Sequence, residues 1–225
     1  MRRRAAARAE LCMGEDFRNA QARHWEREYR TRGALWAGPS LFDFPIPAGA
    51  RVLELGCGSG KTLSALLKTE AKLTAIDASP KAVSLCRKMA LAKNRHDTEF
   101  LVADVCSLPF PDSAFDFIVA FHVLEHLLEA DRAAAVSEIQ RVLAKGGKAF
   151  VQAFSTGDMR FGKGEELEEG TFLRNGLITH YFTESELEKL FGSFRRLSIS
   201  KTHKEKKYHG KELKRERIVA VFERC

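Results

Sequence analysis

The chain has 225 residues, which is enough for one domain with a substantial hydrophobic core. Its apolar fraction of 44% is ordinary for a globular protein, and no apolar run is long enough to cross a bilayer. The five cysteines are scattered and never spaced as C-x-x-C, which indicates reduced thiols and excludes a disulfide framework or a cysteine zinc site. Because the arginine-rich start has no apolar segment after it, we expect a cytoplasmic protein without membrane association.

The net charge of +7 is concentrated near the two ends of the chain. One basic cluster lies within residues 2–8, and the other runs from Lys201 to Arg217. Basic segments of this kind bind phosphates in nucleic-acid-binding proteins, but they also occur as solubilising tails. Charge alone therefore leaves both interpretations open.

The N-terminal part, residues 1–40, is predicted to be a basic arm and a helix. The sequence is compatible with a helix from Glu15 to Arg32, with Trp25 and Tyr29 on an aromatic face. Such a helix is either a lid over a pocket or simply a packed helix, so Trp25 and Tyr29 are candidate substrate-binding residues. The residues predicted to end it are Gly33, Gly38 and Pro39.

The most informative stretch runs from Arg51 to Gly60, with the sequence R-V-L-E-L-G-C-G-S-G. A short apolar strand leads into three alternating glycines, and a helix is predicted to begin near Lys61. This arrangement forms a pocket for a nucleotide-like ligand, because glycine allows close approach and a helix start presents free N–H groups. A nicotinamide fingerprint, G-x-G-x-x-G, would need glycine at Lys61, which disfavours an oxidoreductase.

Beyond the turn, predicted strands alternate with predicted helices. The strands are 73–77, 99–103, 115–121 and 149–154, and the helices are 61–69, 80–94 and 131–143, the last ended by Gly146-Gly147. This alternation predicts right-handed crossovers and a parallel sheet with helices on both faces. The second and third of these strands end on acids, Asp77 and Asp104. Asp77 follows the turn by about twenty residues, where doubly wound nucleotide folds hold the ribose hydroxyls.

The remainder of the chain is predicted to close the sheet. Residues 155–178 are predicted to form an irregular inserted loop, and a helix over 183–191 begins at a capping box. A last strand pair, 194–200 and 218–222, is joined by a basic hairpin connection over 201–217.

These features together resemble the class I S-adenosylmethionine-dependent methyltransferases. Glu54 and the three glycines match the first family motif, E-x-G-x-G-x-G, and Asp77, Asp104 and the run 108–116 follow in the family's order. The resemblance implies a doubly wound, Rossmann-like, mostly parallel seven-stranded α/β sheet over residues 41–225, with a C-terminal antiparallel strand and helices on both faces. It implies S-adenosyl-L-methionine as cofactor and S-adenosyl-L-homocysteine as product. The cofactor-binding residues so implied are Glu54, Gly56, Cys57, Gly58, Gly60, Asp77, Ala78, Asp104, Val105 and Phe121.

A second pattern, His122-Val-Leu-Glu-His126, follows the fourth of the strands. H-x-x-E-H is also the inverted zinc-protease signature, with Glu125 as base. Because the segment directly follows a buried strand of a parallel sheet, we expect no metal site here. His122 and His126 are candidate catalytic bases, since imidazole titrates near neutral pH. A structural role for either histidine stays open.

The methyl acceptor should be bound by the variable segments, namely the N-terminal helix, residues 155–178 and the run His180-Tyr181-Phe182. His180 and Tyr181 therefore join the candidate substrate-binding residues. Transfer is expected to be an in-line displacement onto a small-molecule acceptor, because the segments lining the site are moderate in length and no RNA-binding module is evident. One alternative is a tRNA or other RNA methyltransferase whose basic ends bind phosphates. Another is a non-catalytic protein that binds S-adenosylmethionine.

Overall fold

The structure is a computed structural model. It describes the backbone of residues 2–33, 35, 43–208 and 211–225, and the side chains of residues 17–33, 35, 43–205 and 214–225. Gly38, Pro39 and the predicted boundary near residue 40 lie outside these described residues. Among the helices that are described, none is long and apolar enough to cross a membrane.

A seven-stranded sheet with the strand order β3-β2-β1-β4-β5-β10-β9 forms the centre of the fold. Strands β1 to β5 are parallel, and β10 is antiparallel to both of its neighbours, which confirms the predicted fold class. The strands of this sheet are β1 (Arg51–Leu55), β2 (Lys72–Asp77), β3 (Glu99–Val102), β4 (Phe115–Phe121), β5 (Leu143–Phe154), β9 (Phe194–Tyr208) and β10 (Lys211–Arg224). The helices are α1 (Arg2–Arg32), α2 (Leu63–Leu66), α3 (Pro80–Ala92), α4 (Glu129–Val142) and α5 (Glu184–Leu190), with a 3₁₀ turn at Leu124–His126.

The central strands are apolar on both faces, because helices cover both sides of the sheet. Successive residues of a strand point to opposite faces. Accordingly, Leu53 and Ile118 belong to one buried cluster, and Val52 and Val119 belong to the other. All four side chains are fully buried, so β1 and β4 hold the site-bearing edge of the sheet rigidly.

Two predicted helix starts are confirmed by their capping bonds. The Ser79 hydroxyl accepts a hydrogen bond from the Ala82 amide at 3.1 Å, and proline follows Ser79 as the first helical residue. The Thr183 hydroxyl accepts from the Glu186 amide, also at 3.1 Å. Each bond satisfies one of the amides that a helix start leaves unpaired.

Several predicted element boundaries differ from the observed ones. Helix α1 begins at Arg2 rather than Glu15, and α2 is a single turn within the predicted 61–69 helix. Helix α4 ends at Val142, before the glycine pair, because β5 begins at Leu143 and pairs there with Phe115 of β4. Tertiary strand pairing thus overrides the local glycine signal.

Where the sequence predicts an irregular loop over 155–178, the chain forms a second sheet. Its three antiparallel strands, in the order β6-β7-β8, are β6 (Glu165–Glu168), β7 (Thr171–Arg174) and β8 (Leu177–His180). Gly170 and Gly176, both at positive φ, lie in the tight turns between these strands. Such turns need residues that tolerate left-handed backbone, which explains why the segment is rich in glycine.

The predicted basic connection over 201–217 is a continuation of the last two strands. β10 pairs with β5 only as far as Arg217 opposite Phe154, whereas its pairing with β9 continues to Lys211 opposite Tyr208. The six residues of β10 beyond β5 correspond to a length of about 20 Å at a rise of about 3.3 Å per residue. We call this extension, Lys201–Tyr208 of β9 and Lys211–Arg217 of β10, the basic ribbon.

Candidate active site

The candidate site lies along the carboxyl edge, the edge of the sheet at which the parallel strands end. Because neighbouring parallel strands end together, this edge collects the glycine turn after β1, Asp77 at the end of β2, Asp104 after β3 and His122 after β4. Doubly wound sheets bind ligands in the crevice at this edge. The strand ends in the sequence already indicate that these residues share one edge, and the structure brings them together there.

The glycine turn requires glycine at its alternate positions. Gly56, Gly58 and Gly60 have φ of 63°, 54° and 87°, which is the left-handed region. A Cβ atom at Gly56 would stand 2.6 Å from a methyl group of Val123, and one at Gly60 would stand 2.7 Å from the terminal methyl of Met89. The turn is a cradle without side chains, into which a ligand can approach the backbone.

Glu54 lies behind this cradle and is buried. Burial raises the pKa of its carboxyl to about 8, and a hydrogen bond from the Leu63 amide partly offsets this effect. Its Oε2 atom has no hydrogen-bond partner among the described residues. A buried polar atom without a partner is costly, so this oxygen is available to a group that enters the turn.

Asp77 connects the turn to the end of β2. Its Oδ2 accepts a hydrogen bond from the Gly58 amide at 2.8 Å, and its Oδ1 accepts one from the Ser79 amide at 2.8 Å. Burial raises the pKa of Asp77 to about 6 despite both bonds. Each carboxylate oxygen retains a lone pair, so the group can still accept bonds from two vicinal hydroxyls.

Asp104 is more exposed, and it contacts α1. Its Oδ1 accepts a hydrogen bond from the Cys106 amide at 2.9 Å, and its Oδ2 lies 3.2 Å from Nε of Arg18. Arg18 also forms an ion pair with Asp131 at the start of α4. Val105 packs against the core and Ala78 is exposed between β2 and α3, while Cys57 and Phe121 are buried.

Helix α1 crosses this edge and contacts most of its elements. A carboxylate oxygen of Glu26 accepts hydrogen bonds from the Ser79 hydroxyl at 2.5 Å and from the Lys81 amide at 2.9 Å. The buried hydroxyl of Tyr29 lies over Gly58. Helix α1 is therefore a cover over the predicted cofactor residues. Sequence analysis missed Arg18 and Glu26, because nothing in a helix pattern identifies a partner 50 or more residues away.

His122 has an uncommon backbone conformation and a defined partner. Its φ is +60°, and its Nδ1 lies 2.6 Å from Oε1 of Glu125, which is fully buried. A non-glycine residue in left-handed backbone persists only where the surroundings enforce it, and such residues cluster at functional sites. The His122 ring is partly exposed and lies 4.5 Å from the ring of Phe154.

His126 is held differently. Its Nδ1 donates to the Ile178 carbonyl at 2.8 Å, the Trp25 ring packs edge-on at 5.1 Å, and burial lowers the pKa of its imidazole. These contacts describe a neutral histidine that fastens the 3₁₀ turn to β8. Among the described residues, no group of three or more His, Cys, Asp or Glu side chains is placed to hold a metal ion.

The four candidate substrate-binding residues have different environments. His180 is buried, with Thr171 2.8 Å from its Nδ1 and Glu186 2.8 Å from its Nε2, so it packs within the small sheet. Trp25 stacks on Tyr29, with ring centroids 5.8 Å apart, and both belong to the cover described above. Of the four, Tyr181 alone lines the groove described next.

A groove of about 280 Å³ lies between α1 and the small sheet. One wall is a face of α1, and the other is formed by β7, β8 and the loop that precedes β6. We call it the basic groove, because most of its charged residues are positive. It is lined by His24, Glu28, Arg32, Arg160, Lys163, Phe172, Arg174, Asn175, Leu177, Thr179 and Tyr181.

Comparison with known proteins agrees with this geometry. Residues 53–151 match the family model of the methyltransferase domain. The chain is 29% identical over 165 residues to tRNA N(3)-cytidine methyltransferase METTL2 of Gallus gallus, covering 68% of this chain and 44% of that protein. It is 34% identical over 128 residues to tRNA (carboxymethyluridine(34)-5-O)-methyltransferase alkbh8 of Xenopus tropicalis, covering 56% of this chain and 19% of that protein.

A third relative is a small-molecule enzyme by name, the ajmaline N-methyltransferase of Rauvolfia serpentina. It is 32% identical over 111 residues, covering 48% of this chain and 38% of that protein. The chain thus spans less than half the length of each of these three curated relatives.

Solved structures give the same family. A methyltransferase from Methanosarcina mazei that depends on S-adenosylmethionine superposes with a TM-score of 0.66 at 27% identity, covering 80% of this chain and 94% of that one. One from Mesorhizobium loti superposes with a TM-score of 0.62 at 15% identity, with the same coverage, and supports the fold alone. The matched domain contains the glycine turn, Asp77, Asp104 and His122. Residues 53–151 are therefore a methyltransferase domain of the class I kind, whose cofactor is S-adenosylmethionine.

Proposed function

We propose that the chain transfers a methyl group from S-adenosylmethionine to a nucleotide of an RNA acceptor. A small-molecule acceptor, which the sequence analysis favours, is the second candidate. The observation that carries the RNA assignment is the position of the basic ribbon. The ribbon extends the sheet past Phe154, the last residue of β5, and so projects beyond the carboxyl edge that also holds Asp77 and His122.

The cofactor fits this edge of the sheet. The glycine turn, which has no side chains, leaves space for the methionine part of the cofactor. Asp77 can accept hydrogen bonds from the two ribose hydroxyls, and Asp104 can accept one from the adenine amino group. These three assignments remain predictions for this chain. When bound, S-adenosylmethionine supplies an electrophilic methyl group. The chain itself must then orient the acceptor, exclude water and accept a proton where the acceptor loses one.

His122 is the residue that we assign to proton acceptance. The buried Glu125 carboxylate, 2.6 Å from Nδ1, can hold the proton on that nitrogen and so leave Nε2 as the acceptor. The left-handed backbone of His122 leaves its ring partly exposed and beside Phe154. His126 lacks this freedom, because its Nδ1 is bound to Ile178 and its ring is packed by Trp25.

The charge of the basic ribbon supports an acceptor that carries phosphates. Residues 201–217 contain eight lysine and arginine residues and three glutamates, which is most of the net charge of the chain. At its base, Arg215 forms an ion pair with Asp158 at 3.1 Å and lies 5.6 Å from the Phe154 ring, which also contacts His122. The basic ribbon, which the sequence leaves open as a solubilising segment, is thus in contact with the residues around His122 through Arg215 and Phe154. Two of the relatives named above are tRNA methyltransferases by name, which supports the same choice.

A labelled-methyl transfer assay tests this proposal. The purified chain is incubated with methyl-labelled S-adenosylmethionine and cell extract, with and without ribonuclease, and with purified tRNA. We expect label in RNA that is lost after ribonuclease treatment and absent with Asp77→Ala. Label that persists in the small-molecule fraction after ribonuclease treatment would contradict the RNA assignment and support the second candidate.

One observation favours that second candidate. The basic groove, at about 280 Å³, is close to the size of a small-molecule pocket. Phe172 and Tyr181 line it and could enclose a planar acceptor. Its positive charge, however, suits an anionic ligand better than a neutral or basic one.

A further inference from the structure

We infer that the basic groove, together with the exposed ring of Phe161 beside it, is a subsite for single-stranded RNA: its cations bind backbone phosphates and Phe161 stacks on an unpaired base. This inference rests on the proposed RNA methyltransferase function, and it names the place where the acceptor is held next to the reacting nucleotide. Four observations support this inference.

The groove has uncompensated positive charge. Its one acidic lining residue, Glu28, is already paired with Arg32 at 3.3 Å. Lys163 and Arg174 are exposed, and neither has an ion-pair partner among the residues that the structure describes. Two unpaired cations on neighbouring segments of one wall, one before β6 and one on β7, suit successive phosphates of an extended strand.

Arg160 is positioned to bind an anion. Its Nε donates to Oδ1 of Asp158 at 2.7 Å, and its guanidinium lies over the ring of Phe154, 3.9 Å from the ring centre. Its Nη2 is buried and has no hydrogen-bond partner among the described side chains and backbone. A fixed guanidinium with an unused donor is the group that binds a phosphate oxygen most directionally.

Phe161 supplies the aromatic surface. Its side chain is among the few large apolar ones that stay exposed, at 42%. Phe172 and Tyr181 hold the ring edge-on, with centroids 5.5 Å and 5.7 Å away and interplanar angles of 84° and 82°. Both of these neighbours line the groove. Basic residues interleaved with an exposed aromatic ring are the usual means of holding single-stranded nucleic acid without sequence preference.

The groove adjoins the methyl-transfer site through Phe154. The Phe154 ring lies 4.5 Å from His122 on one side and 3.9 Å from the Arg160 guanidinium on another. Tyr181, a groove residue, lies 6.2 Å from the same ring. A strand bound in the groove would therefore present a neighbouring nucleotide to His122.

The test measures binding of a fluorescent ten-nucleotide oligouridine to the full chain at several salt concentrations. The charge variant is Lys163→Glu with Arg174→Glu, and its matched control is Lys68→Glu with Lys93→Glu, two exposed lysines near the opposite edge of the sheet. We expect the charge variant, and not its control, to bind the oligonucleotide at least about tenfold more weakly. The slope of the logarithm of its binding constant against the logarithm of the salt concentration should become shallower by about 1.4, because each single-strand phosphate contact contributes about 0.7. Calorimetric affinity for S-adenosylmethionine shows whether each variant is folded.

The aromatic contact is tested by a second matched pair. Phe161→Ala removes the exposed ring, and Leu197→Ala removes a side chain of equal 42% exposure on β9. We expect Phe161→Ala to weaken oligouridine binding about tenfold with the salt slope unchanged, because stacking releases no counterions. Leu197→Ala should bind like the unchanged chain.

The outcomes separate this inference from the proposed function. Equal RNA binding by the charge variant and its control would overturn the inference, even if RNA is methylated. Groove-dependent RNA binding without methyl transfer would support the inference and remove the proposed function. If uridine monophosphate binds as tightly as the oligonucleotide and with the same sensitivity to the charge variant, the groove holds a small phosphorylated ligand and the RNA assignment is wrong.

Discussion

The hydroxyl of Tyr29 lies against the backbone of Gly58, so that a Cβ atom at Gly58 would stand 2.8 Å from the phenolic oxygen. This contact joins the helix that covers the site to the turn that we expect to hold the cofactor. Burial raises the pKa of the Tyr29 hydroxyl, which keeps it protonated as a neutral hydrogen-bond donor. Substitutions at Gly58 and Tyr29 can therefore measure how closely α1 packs against the glycine turn.

Gly58→Ala should destabilise the protein and weaken binding of S-adenosylmethionine. Alanine at a φ of +54° costs about 1–2 kcal/mol, and the contact with Tyr29 adds to that cost. Tyr29→Phe in the same chain removes the oxygen and should recover only the contact part. Urea unfolding and calorimetry measure the two effects.

Gly49→Ala is the matched control for that strain. Gly49 has a φ of +73°, and an added Cβ would meet nothing within 4 Å. Gly49→Ala should therefore lower the free energy of unfolding by a similar amount through backbone strain and leave cofactor affinity unchanged. Adding Tyr29→Phe should not restore any of the lost stability. Equal losses at both glycines would mean that the Tyr29 contact contributes nothing.

Cofactor affinity should fall as the pH drops below about 6. Burial raises the pKa of Asp77 to about 6, so its carboxylate becomes protonated there and loses a charge-assisted bond to the ribose, worth about 1.5–3 kcal/mol. Calorimetric titration with S-adenosylmethionine from pH 5 to pH 8 measures this effect. Asp77→Asn should bind weakly and without this pH dependence. A wild-type profile that stays flat through pH 6 would argue against the ribose assignment.

The free energy of unfolding should decrease as the pH rises towards 8. Burial raises the pKa of Glu54 from 4.5 to about 8, so the folded state binds this proton more tightly than the unfolded chain does. Stability is therefore lost progressively between these two pKa values, by a few kcal/mol in all. Urea denaturation at pH 7 and pH 8 measures this loss above most of the range in which Asp77 titrates. In Glu54→Gln the free energy of unfolding should no longer decrease with pH over this range. An unchanged decrease would contradict the raised pKa of Glu54.

His122→Ala should lower kcat by about 10²–10⁴ while leaving affinity for S-adenosylmethionine nearly unchanged, as expected for a general base. Glu125→Gln, which keeps the shape of the positioning residue, should cause a smaller loss. The base assignment further requires that the loss appear in kcat when S-adenosylmethionine is saturating. If His122→Ala instead weakens cofactor binding and leaves kcat unchanged, His122 has a structural role only. His126→Ala should mainly lower stability, because it breaks the bond to Ile178.

Much of the sheet was predictable, because its signals are local. The apolar runs of β1, β2 and β4, the caps Ser79 and Thr183, and an acid at a strand end all depend on residues close together in sequence. For the same reason the positions of Asp77, Asp104 and His122 along the carboxyl edge followed from local strand ends, because parallel strands that alternate with helices end at one edge of the sheet.

The sequence by itself therefore determined the central sheet, the glycine turn and the family. Tertiary structure alone decided what surrounds them: Glu26 of α1 caps α3 from 53 residues away, and Gln21 binds Ile178 across 157 residues. It also folded residues 165–180 into a sheet and extended β9 and β10 as a ribbon beyond the carboxyl edge. The physical reason is that strand pairing and side-chain contacts between distant parts of the sequence depend on which segments pack together. Local periodicity and propensity do not determine which segments those are.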